Sequence, residues 1–153
     1  MYWNVEMEEP LIIQRPLSKE DYSFMYDLRW RVLRKPWNQP RGSEKDDLEK
    51  NSYPLIVILN NKIVATARFH KNSEKEGQIR YIAVEKAYRK KRIATKLIRY
   101  IEGIAISLGV SSIILNARKT AKEFFEKLDY DIIADGPLLF NEIEHFVMYK
   151  KLK

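Results

Sequence analysis

The sequence predicts one mixed α/β domain, residues 1–153, with a mostly antiparallel sheet flanked by helices. Three observations support this prediction. The length of 153 residues, 45% of them hydrophobic, suits a single core. Three short apolar segments follow one another between residues 55 and 84, as in an antiparallel meander. Helical patterns and further short apolar segments then alternate to the end of the chain.

The first half of the chain predicts a strand, a helix and the meander. Leu11–Arg15 is the first strand, and Pro16 ends it. Ser18 and Asp21 have the spacing of a capping box, and apolar residues at helical spacing follow them. A long polar loop, residues 35–53, precedes the meander. The meander strands are predicted at Leu55–Leu59, Ile63–Phe69 and Gln78–Val84, with a tight turn at Asn60–Asn61 and a charged turn ending at Gly77.

Alternation along the third meander strand predicts which side chains share a face. Successive residues of a strand point to opposite faces of the sheet. One face is expected to carry Ile79, Tyr81 and Ala83, and the other Gln78, Arg80, Ile82 and Val84.

The second half begins with the most amphipathic helix of the chain. Its apolar stripe starts at Ile93, and Gly109 ends it as a C-terminal cap. Helical crossovers after Val84 and Leu115 predict at least one parallel strand pair. The remaining elements are predicted at Ser112–Leu115 (strand), Thr120–Leu128 (helix), Tyr130–Ala134 (strand) and Phe146–Leu152 (strand).

Composition excludes several classes of protein. The chain contains no cysteine, which excludes disulfides, thiolate metal sites and a cysteine nucleophile, and fits a cytoplasmic location. The longest apolar runs are short, as in Leu55–Leu59, whereas a membrane-spanning helix needs about 20 apolar residues. No secretory signal is visible, and we expect neither a membrane association nor a metal site.

The positive charge of the chain is concentrated in one segment. The net charge is +7, and residues 86–100 (KAYRKKRIATKLIRY) hold seven cations and no acid. Such a segment implies an anionic partner, either a phosphorylated small molecule or a nucleic acid. Because Arg89–Ala94 lies between a predicted strand and a helix start, free backbone N–H groups and the helix dipole would add to this attraction. We therefore predict a phosphate site here.

This strand, basic loop and helix resemble the GNAT superfamily of N-acetyltransferases. The signature of that family is Gln/Arg-x-x-Gly-x-Gly/Ala after a strand ending in an apolar-Ala-Val segment. Here Ile82-Ala-Val84 precedes Arg89-x-x-Arg92-x-Ala94. Arg89 and Ala94 match the signature, whereas Arg92 stands at the first glycine, where a side chain disfavours left-handed backbone.

Two further regions carry the same resemblance, which covers residues 11–152. Leu115-Asn-Ala-Arg118 followed by Ala121–Leu128 is similar to the later motif of the family, with Asp129 where relatives usually have glycine. The ending His145-Phe-Val-Met-Tyr-Lys and the segment Asp27–Arg34, with Glu44 and Asp46 downstream, are similar to a bacterial and archaeal subgroup.

The resemblance implies a fold in which two central strands splay apart, and acetyl-CoA as co-substrate. Backbone amides of about Lys90 to Thr95 would hold the pyrophosphate, and the freed backbone of Ile82 and Val84 would pair with the pantetheine arm. The expected coenzyme A contacts are Ile82, Ala83, Val84, Arg89, Lys90, Lys91, Arg92, Ile93, Ala94, Thr95, Asn116, Ala121, Phe124 and Phe125.

The resemblance identifies fewer catalytic groups. Val84 would stabilise the oxyanion through its backbone N–H. Relatives place a Glu base where this chain has Gln78, and a Tyr acid where it has Phe125. Glu44 in the acidic loop is a candidate for binding a cationic acceptor or acting as base, although a solvated loop face is the simpler interpretation. His145 is a further catalytic candidate, with a structural role as the alternative.

These observations predict an N-acetyltransferase that moves an acetyl group from acetyl-CoA to a primary amine by direct attack in a ternary complex. The expected acceptor is a small-molecule or peptide amine, and assembly of this chain as a homodimer is left open beside a monomer. One alternative is a member of the family that binds coenzyme A without turnover. An RNA-binding module using residues 86–100 is disfavoured, because the strands lack an exposed aromatic platform and the cations cluster tightly.

Overall fold

The computed structural model, which describes residues 10–153, contains a seven-stranded sheet in the order β1-β2-β3-β4-β5-β7-β6. The strands are β1 (Ile12–Gln14), β2 (Tyr53–Leu59), β3 (Lys62–Lys71), β4 (Glu76–Val84), β5 (Ser112–Arg118), β6 (Asp131–Asp135) and β7 (His145–Lys151). The helices are α1 (Lys19–Leu33), α2 (Ile93–Ser107) and α3 (Lys122–Glu126), with 3₁₀ turns at Lys35–Trp37, Glu49–Asn51, Lys86–Tyr88 and Lys119–Ala121.

The predicted fold class and element order are confirmed. β4 and β5 are parallel, as the crossover through α2 requires, and the other strand pairs of the described residues are antiparallel. β5 is three residues longer than predicted, and the predicted helix at Thr120–Leu128 begins as a 3₁₀ turn before α3. In the described part of the chain, no helix combines the length and the apolar character that crossing a membrane demands.

Local signals identified in the sequence form as predicted. The Ser18 hydroxyl caps α1 by accepting from the Asp21 amide at 3.1 Å, and the Asp21 carboxylate accepts from the Leu17 amide at 2.8 Å. Asn60 and Asn61 have φ of 55° and 59°, which gives the tight turn between β2 and β3. Gly109, with φ of 78°, follows the last turn of α2.

The two faces of the sheet are covered by different helices. On one face the apolar stripe of α2 packs on alternate residues of the strands, among them Ala65, Ala67 and Phe69 of β3. On the other face Met25 and Leu28 of α1 are buried. Phe24 is one of the apolar residues that follow the capping box, but its side chain is 63% exposed and does not join them. The face under α1 also receives unusually polar side chains, because Thr66, Arg68 and His70 of β3 are all buried.

Gly77 does not end the second turn of the meander, as the sequence predicted, but lies inside β4. It pairs with Lys71 of β3 and Ile113 of β5. The ring of Phe69 lies over it, so closely that a Cβ on Gly77 would overlap the ring edge. Glycine is therefore required here by close packing and not by a turn.

β4 contains a bulge in its second half. Arg80 lies opposite Arg68, and Ala83 lies opposite Thr66, so two residues of β4 face a single residue of β3. The bulge begins at Tyr81, whose backbone is left-handed with φ of 57°. An inserted residue of this kind reverses the alternation of all side chains that follow it.

The bulge corrects the predicted faces of the strand. Tyr81 lies on the α1 side, where the guanidinium of Arg29 stacks 4.7 Å from the centre of its ring. Ile82 and Val84 pack against the core under α2 instead. The expectation that Tyr81 shares the face of Ile79, with Ile82 and Val84 on the opposite face, is therefore wrong.

Replacing Gly77 by alanine tests the packing of Phe69 on β4. We expect Gly77→Ala to lower the free energy of unfolding by about 1–3 kcal/mol, because the added methyl overpacks the ring. Gly103→Ala is the matched control, since a Cβ at this position of α2 meets nothing within 4 Å. It should raise stability by roughly 0.5–1 kcal/mol through helix propensity. Equal effects of the two variants in urea unfolding would contradict this account.

Candidate active site

β4 and β5 separate in the middle of the sheet. Their parallel register runs from Glu76 opposite Ser112 to Ile79 opposite Leu115 and then ends. Both strands nevertheless continue, β4 to Val84 and β5 to Arg118. The pairing ends just before the bulge at Tyr81, and this bulge bends β4 away from β5. The splayed strands that the resemblance implied are therefore present.

A cavity of about 510 Å³ occupies this gap. Six of the predicted coenzyme A contacts line it: Ile82, Ala94, Asn116, Ala121, Phe124 and Phe125. The other predicted contacts, Ala83, Val84, Arg89, Lys90, Lys91, Arg92, Ile93 and Thr95, lie outside its walls, along the end of β4 and the start of α2. His145, a predicted catalytic candidate, also lines the cavity, as does Gln78, which stands where relatives have a base. The walls that the sequence did not predict are Leu33, Arg34, Ile79, Arg80, Tyr81, Leu115, Ala117, Arg118, Pro137 and Leu139.

The start of α2 presents unpaired backbone N–H groups beside the cavity. Arg92 is the N-cap residue and gives no side-chain cap. The first helical bond is donated by the amide of Lys96 to the Arg92 carbonyl, so the three preceding amides have no acceptor within the helix. The side chains of Arg89–Arg92 are exposed around them. This end of α2 therefore has the polarity and the donors of an anion site.

The backbone of the basic loop corrects one expectation from the sequence. Arg92 has φ of 59° and Lys90 has φ of 68°, both left-handed although both residues carry side chains. Asp129, which also stands at a family glycine, has φ of 72°. The loop thus keeps the glycine-type conformation that a side chain at Arg92 was expected to disfavour.

The edge of β4 that faces the gap carries free backbone groups. The Glu85 amide donates to the carbonyl of Val64 in β3 at 2.8 Å. Because N–H groups of a strand alternate in direction, the Val84 amide points away from β3 and toward the gap. The carbonyl of Val84 accepts from Nε of Arg89 at 3.2 Å, which ties the basic loop to the strand.

Four guanidinium groups surround the ring of Tyr81, which forms part of the cavity wall. The distances to the ring centre are 4.7 Å from Arg29, 5.5 Å from Arg34, 5.0 Å from Arg68 and 4.6 Å from Arg80. Burial raises the pKa of the Tyr81 phenol, although the neighbouring arginines oppose this shift. The phenol therefore stays protonated over the neutral range.

Two acids of the loop, Asp46 and Glu49, pair with three of these arginines and are not part of a solvated face. Asp46 pairs with Arg68 at 2.6 Å and with Arg80 at 2.7 Å. Glu49 pairs with Arg29 at 2.8 Å and with Arg68 at 2.5 Å. Partial burial of Asp46 opposes its ionisation, but hydrogen bonds from Arg68 and the Leu48 amide hold its pKa well below its usual range.

Glu44 does not reach the cavity. Its side chain is buried and accepts from the Gly42 amide at 2.7 Å. It faces a separate surface depression beside Tyr26 and Lys45. The structure therefore does not bring Glu44 together with the residues of the gap.

His145 lies in the cavity wall in a defined orientation. Its Nδ1 is 2.9 Å from the Pro137 carbonyl and 3.0 Å from the Ile143 carbonyl. Both neighbours are acceptors, so Nδ1 carries the proton and the neutral ring has its lone pair on Nε2. Gly136 allows this arrangement, because a Cβ there would come within 2.9 Å of the Cβ of His145.

Two other cavity residues supply no acid or base. Phe125 is buried edge-on against Phe124 and Tyr130, with ring centres 4.9 and 5.9 Å apart. The Gln78 side-chain carbonyl accepts from the Asn72 amide group at 3.0 Å. Among the described residues that line the cavity, His145 offers a ring nitrogen that can accept a proton, and Tyr81 offers a phenol that can donate a hydrogen bond.

The arginines of the cavity wall were missed in the sequence. Arg34 belongs to the segment Asp27–Arg34. The similarity of this segment to a bacterial and archaeal subgroup was the one signal in the sequence that could have indicated a role for Arg34. Arg80 and Arg118 lie in strands where alternation alone gives no reason to expect a shared cavity.

Comparisons with known sequences find acetyltransferases. The sequence model of the acetyltransferase (GNAT) family matches residues 22–130. The chain is 28% identical over 133 residues to the uncharacterized N-acetyltransferase YjcF of Bacillus subtilis, covering 87% of this chain and 94% of that protein. It is 26% identical over 145 residues to YitI of the same organism, an uncharacterized N-acetyltransferase, covering 91% and 95%.

Solved structures share the fold. A crystal structure of a putative N-acetyltransferase from Lactobacillus plantarum superimposes with a TM-score of 0.82 at 21% identity, covering 94% of this chain and 99% of that one. An aminoglycoside 6'-N-acetyltransferase complexed with coenzyme A superimposes with a TM-score of 0.77 at 18% identity, covering 92% and 96%.

Neutralising Asp46 tests the ionic network. We expect Asp46→Asn to lower the free energy of unfolding at pH 7 by about 3 kcal/mol, the lower end for breaking a buried pair, since Glu49 still faces Arg68. The pKa of Asp46 is depressed on folding, so its contribution is complete above the unfolded value of about 3.9 and is lost as the pH falls further. The variant should therefore lose less stability than wild type between about pH 5 and pH 2.

Asp47→Asn is the matched control for this measurement. Asp47 is exposed and forms no salt bridge among the described residues. Its removal should change stability by less than about 0.5 kcal/mol. If Asp46→Asn and Asp47→Asn have the same stability at pH 7 and also at about pH 2, the ionic network does not contribute to stability as inferred.

Proposed function

The chain belongs to the acetyltransferase (GNAT) family, and from that premise we propose that it moves the acetyl group of acetyl-CoA to a primary amine by direct attack in a ternary complex. The observation that supports this most strongly is the cavity between β4 and β5, which is bounded by the start of α2 on one side and by α1 on the other. Two substrates can meet in such a gap from opposite faces of the sheet. A cytoplasmic location, supported by the lack of cysteine, is part of the same proposal.

The residues at the start of α2 fit the phosphate end of acetyl-CoA. In this proposal the amides of Ile93–Thr95 and the side chains of Arg89–Arg92 bind the pyrophosphate. The small side chain of Ala94 leaves room for close approach. The pantetheine arm then lies between the freed edge of β4 at Ile82 and the wall formed by Asn116, Ala121, Phe124 and Phe125.

The residues on the α1 side fit a role in the transfer itself. Nε2 of His145 is proposed to take the proton that the ammonium group must lose before the amine can attack. The C–N bond forms as the C–S bond breaks, and backbone N–H groups of Ile82 and Val84 stabilise the charge that develops on the carbonyl oxygen. The attacking nitrogen then releases its second proton, which converts the departing thiolate to the thiol. A thiol has a pKa of about 8.5, so the thiolate leaves without requiring a phenol at Phe125.

The alternatives remain distinguishable by experiment. A member of the family that binds coenzyme A without turnover would bind the ligand and release no thiol. An RNA-binding protein would bind through the same basic loop and ignore coenzyme A. The acceptor is a small molecule or a peptide in this proposal, and assembly as a homodimer would not alter the chemistry.

Reversing two charges tests the coenzyme A site. We expect coenzyme A to raise the melting temperature, because it binds only the folded state. Arg89→Glu with Lys90→Glu should weaken coenzyme A binding at least about tenfold, as expected for losing charge-assisted contacts. Lys50→Glu with Lys62→Glu makes the same change in net charge at exposed positions elsewhere, and calorimetry should show unchanged affinity. Equal losses in both double variants would contradict a local site.

Replacing His145 tests the proposed base. We expect His145→Gln to lower kcat/KM by about 10²-fold or more while KM for acetyl-CoA stays unchanged. The pH at which the rate rises should move to more alkaline values, because the amine must then lose its proton to water, and a lysine-like ammonium has a pKa of about 10.4. This shift separates a base from a residue that only supports the fold.

His70→Gln is the matched control. His70 is equally buried, is within 3.1 Å of the side-chain oxygen of Asn72 and does not line the cavity. Its replacement should leave the pH profile in place. If His145→Gln has the same pH–rate profile as wild type, measured by thiol release, then His145 is not the base.

A further inference from the structure

We propose that the amine acceptor carries an acidic group, a carboxylate or a phosphate, and that Arg34 and Arg118 bind this group at the α1 side of the cavity. The inference rests on the proposed function, which it deepens by naming the class of acceptor. It also replaces the expectation that a cationic acceptor binds the acidic loop, since the acids Asp46 and Glu49 are already paired with arginines.

The position of Arg34 is the main observation behind this proposal. Arg34 is only 7% exposed, and it lines the cavity. Nε donates to the Ser43 carbonyl at 2.9 Å and Nη1 donates to the Leu33 carbonyl at 3.1 Å. Among residues 10–153 no carboxylate lies within salt-bridge distance of this guanidinium, and the only side chain that its remaining donors meet is the neutral phenol of Tyr81. A buried charge of this kind calls for a counter-ion.

The guanidinium of Arg34 is also held in place before any ligand arrives. It lies 5.5 Å from the ring centre of Tyr81 and 5.5 Å from that of Phe140. Nε and Nη1 of Arg34 are already bonded to carbonyls. The N–H groups of Arg34 that remain are the ones that can point toward the cavity. A planar fork in this position suits the two oxygens of a carboxylate or a phosphate.

Arg118 adds a second cation to the same wall. It is half-buried, and within the described chain it forms neither a salt bridge nor a side-chain hydrogen bond. Burial, followed by the charges of Arg34 and Arg89, lowers its pKa. Two arginines that repel each other around a cavity are stabilised together by one bound anion.

The remaining charges of the wall do not neutralise this pair. Arg80 is a third cation of the wall, and Asp46 compensates it from outside the cavity. No Asp or Glu is among the residues that line the cavity. An acceptor amine that also carried only positive charge would therefore meet repulsion, whereas an acidic group would be attracted.

Matched acceptors give the first test. Thiol release from acetyl-CoA is measured with β-alanine against β-alaninamide and with glucosamine 6-phosphate against glucosamine. We expect the acidic member of at least one pair to have a kcat/KM at least about tenfold higher, the size expected for hydrogen bonds to a charged group. The pair that shows the preference distinguishes a carboxylate from a phosphate.

Variants connect the preference to the two arginines. Arg34→Gln should bring the acidic acceptor to the level of its neutral partner through a higher KM for the acceptor, with KM for acetyl-CoA unchanged. Arg118→Gln should act in the same direction, and it breaks no side-chain hydrogen bond of the described chain, so it covers the case in which Arg34→Gln fails to fold. Arg41→Gln is the control, because Arg41 is exposed and lies outside the cavity.

Calorimetry separates this inference from the proposed function. Succinate and inorganic phosphate are titrated into the protein saturated with coenzyme A. If no amine is acetylated but one of these anions binds and Arg118→Gln abolishes the binding, the transferase proposal fails and the anion site stands. If neutral amines are acetylated as well as acidic ones and neither anion binds, the function stands and this inference is overturned. A rise in KM for acetyl-CoA in Arg118→Gln, with no loss of acceptor preference, would assign that arginine to the cofactor and overturn its role here.

Discussion

The ionic network of Arg29, Arg68, Asp46 and Glu49 is the constraint on which the rest of the site depends. Arg29 of α1 and Arg68 of β3 have fully buried side chains, and they are tolerable there only because the loop after α1 places carboxylates on them. The same guanidiniums stack on Tyr81. The network therefore fixes three things together: the course of the loop, the position of α1 on the sheet and the orientation of the bulged residue beside which the sheet opens.

The opening of the sheet gives the cavity two chemically different sides. The side under α2 offers backbone donors, small residues and phenylalanines, which suit a phosphate and a flexible thioester arm. The side under α1 offers guanidiniums, a phenol and an imidazole with a fixed tautomer. Because the strands separate between these sides, groups of opposite faces come within reach of one reacting centre without any loop crossing the sheet.

The sequence predicted those features that depend on residues close together in the chain. The capping box at Ser18, the Asn60–Asn61 turn and the stripe of α2 follow from local spacing, and the family signature located the basic loop. The bulge at Tyr81 could not be predicted from the sequence. One inserted residue leaves the apolar pattern intact but moves every following side chain to the other face of the sheet. The partners of Asp46 and Glu49 were equally hidden, since the acids and the arginines come from separate elements, and an acidic loop by itself is typical of solvent exposure.

The left-handed residues of the basic loop have a consequence for how fast an anion is captured. A loop of glycines has many unfolded and open conformations, and a ligand must select one of them. Side chains at Lys90 and Arg92 cost backbone strain but remove most of those conformations, so the loop has less entropy to lose when a phosphate arrives. The same side chains add positive charge at the point of encounter. The association rate constant for the anion site proposed here should therefore fall as ionic strength increases.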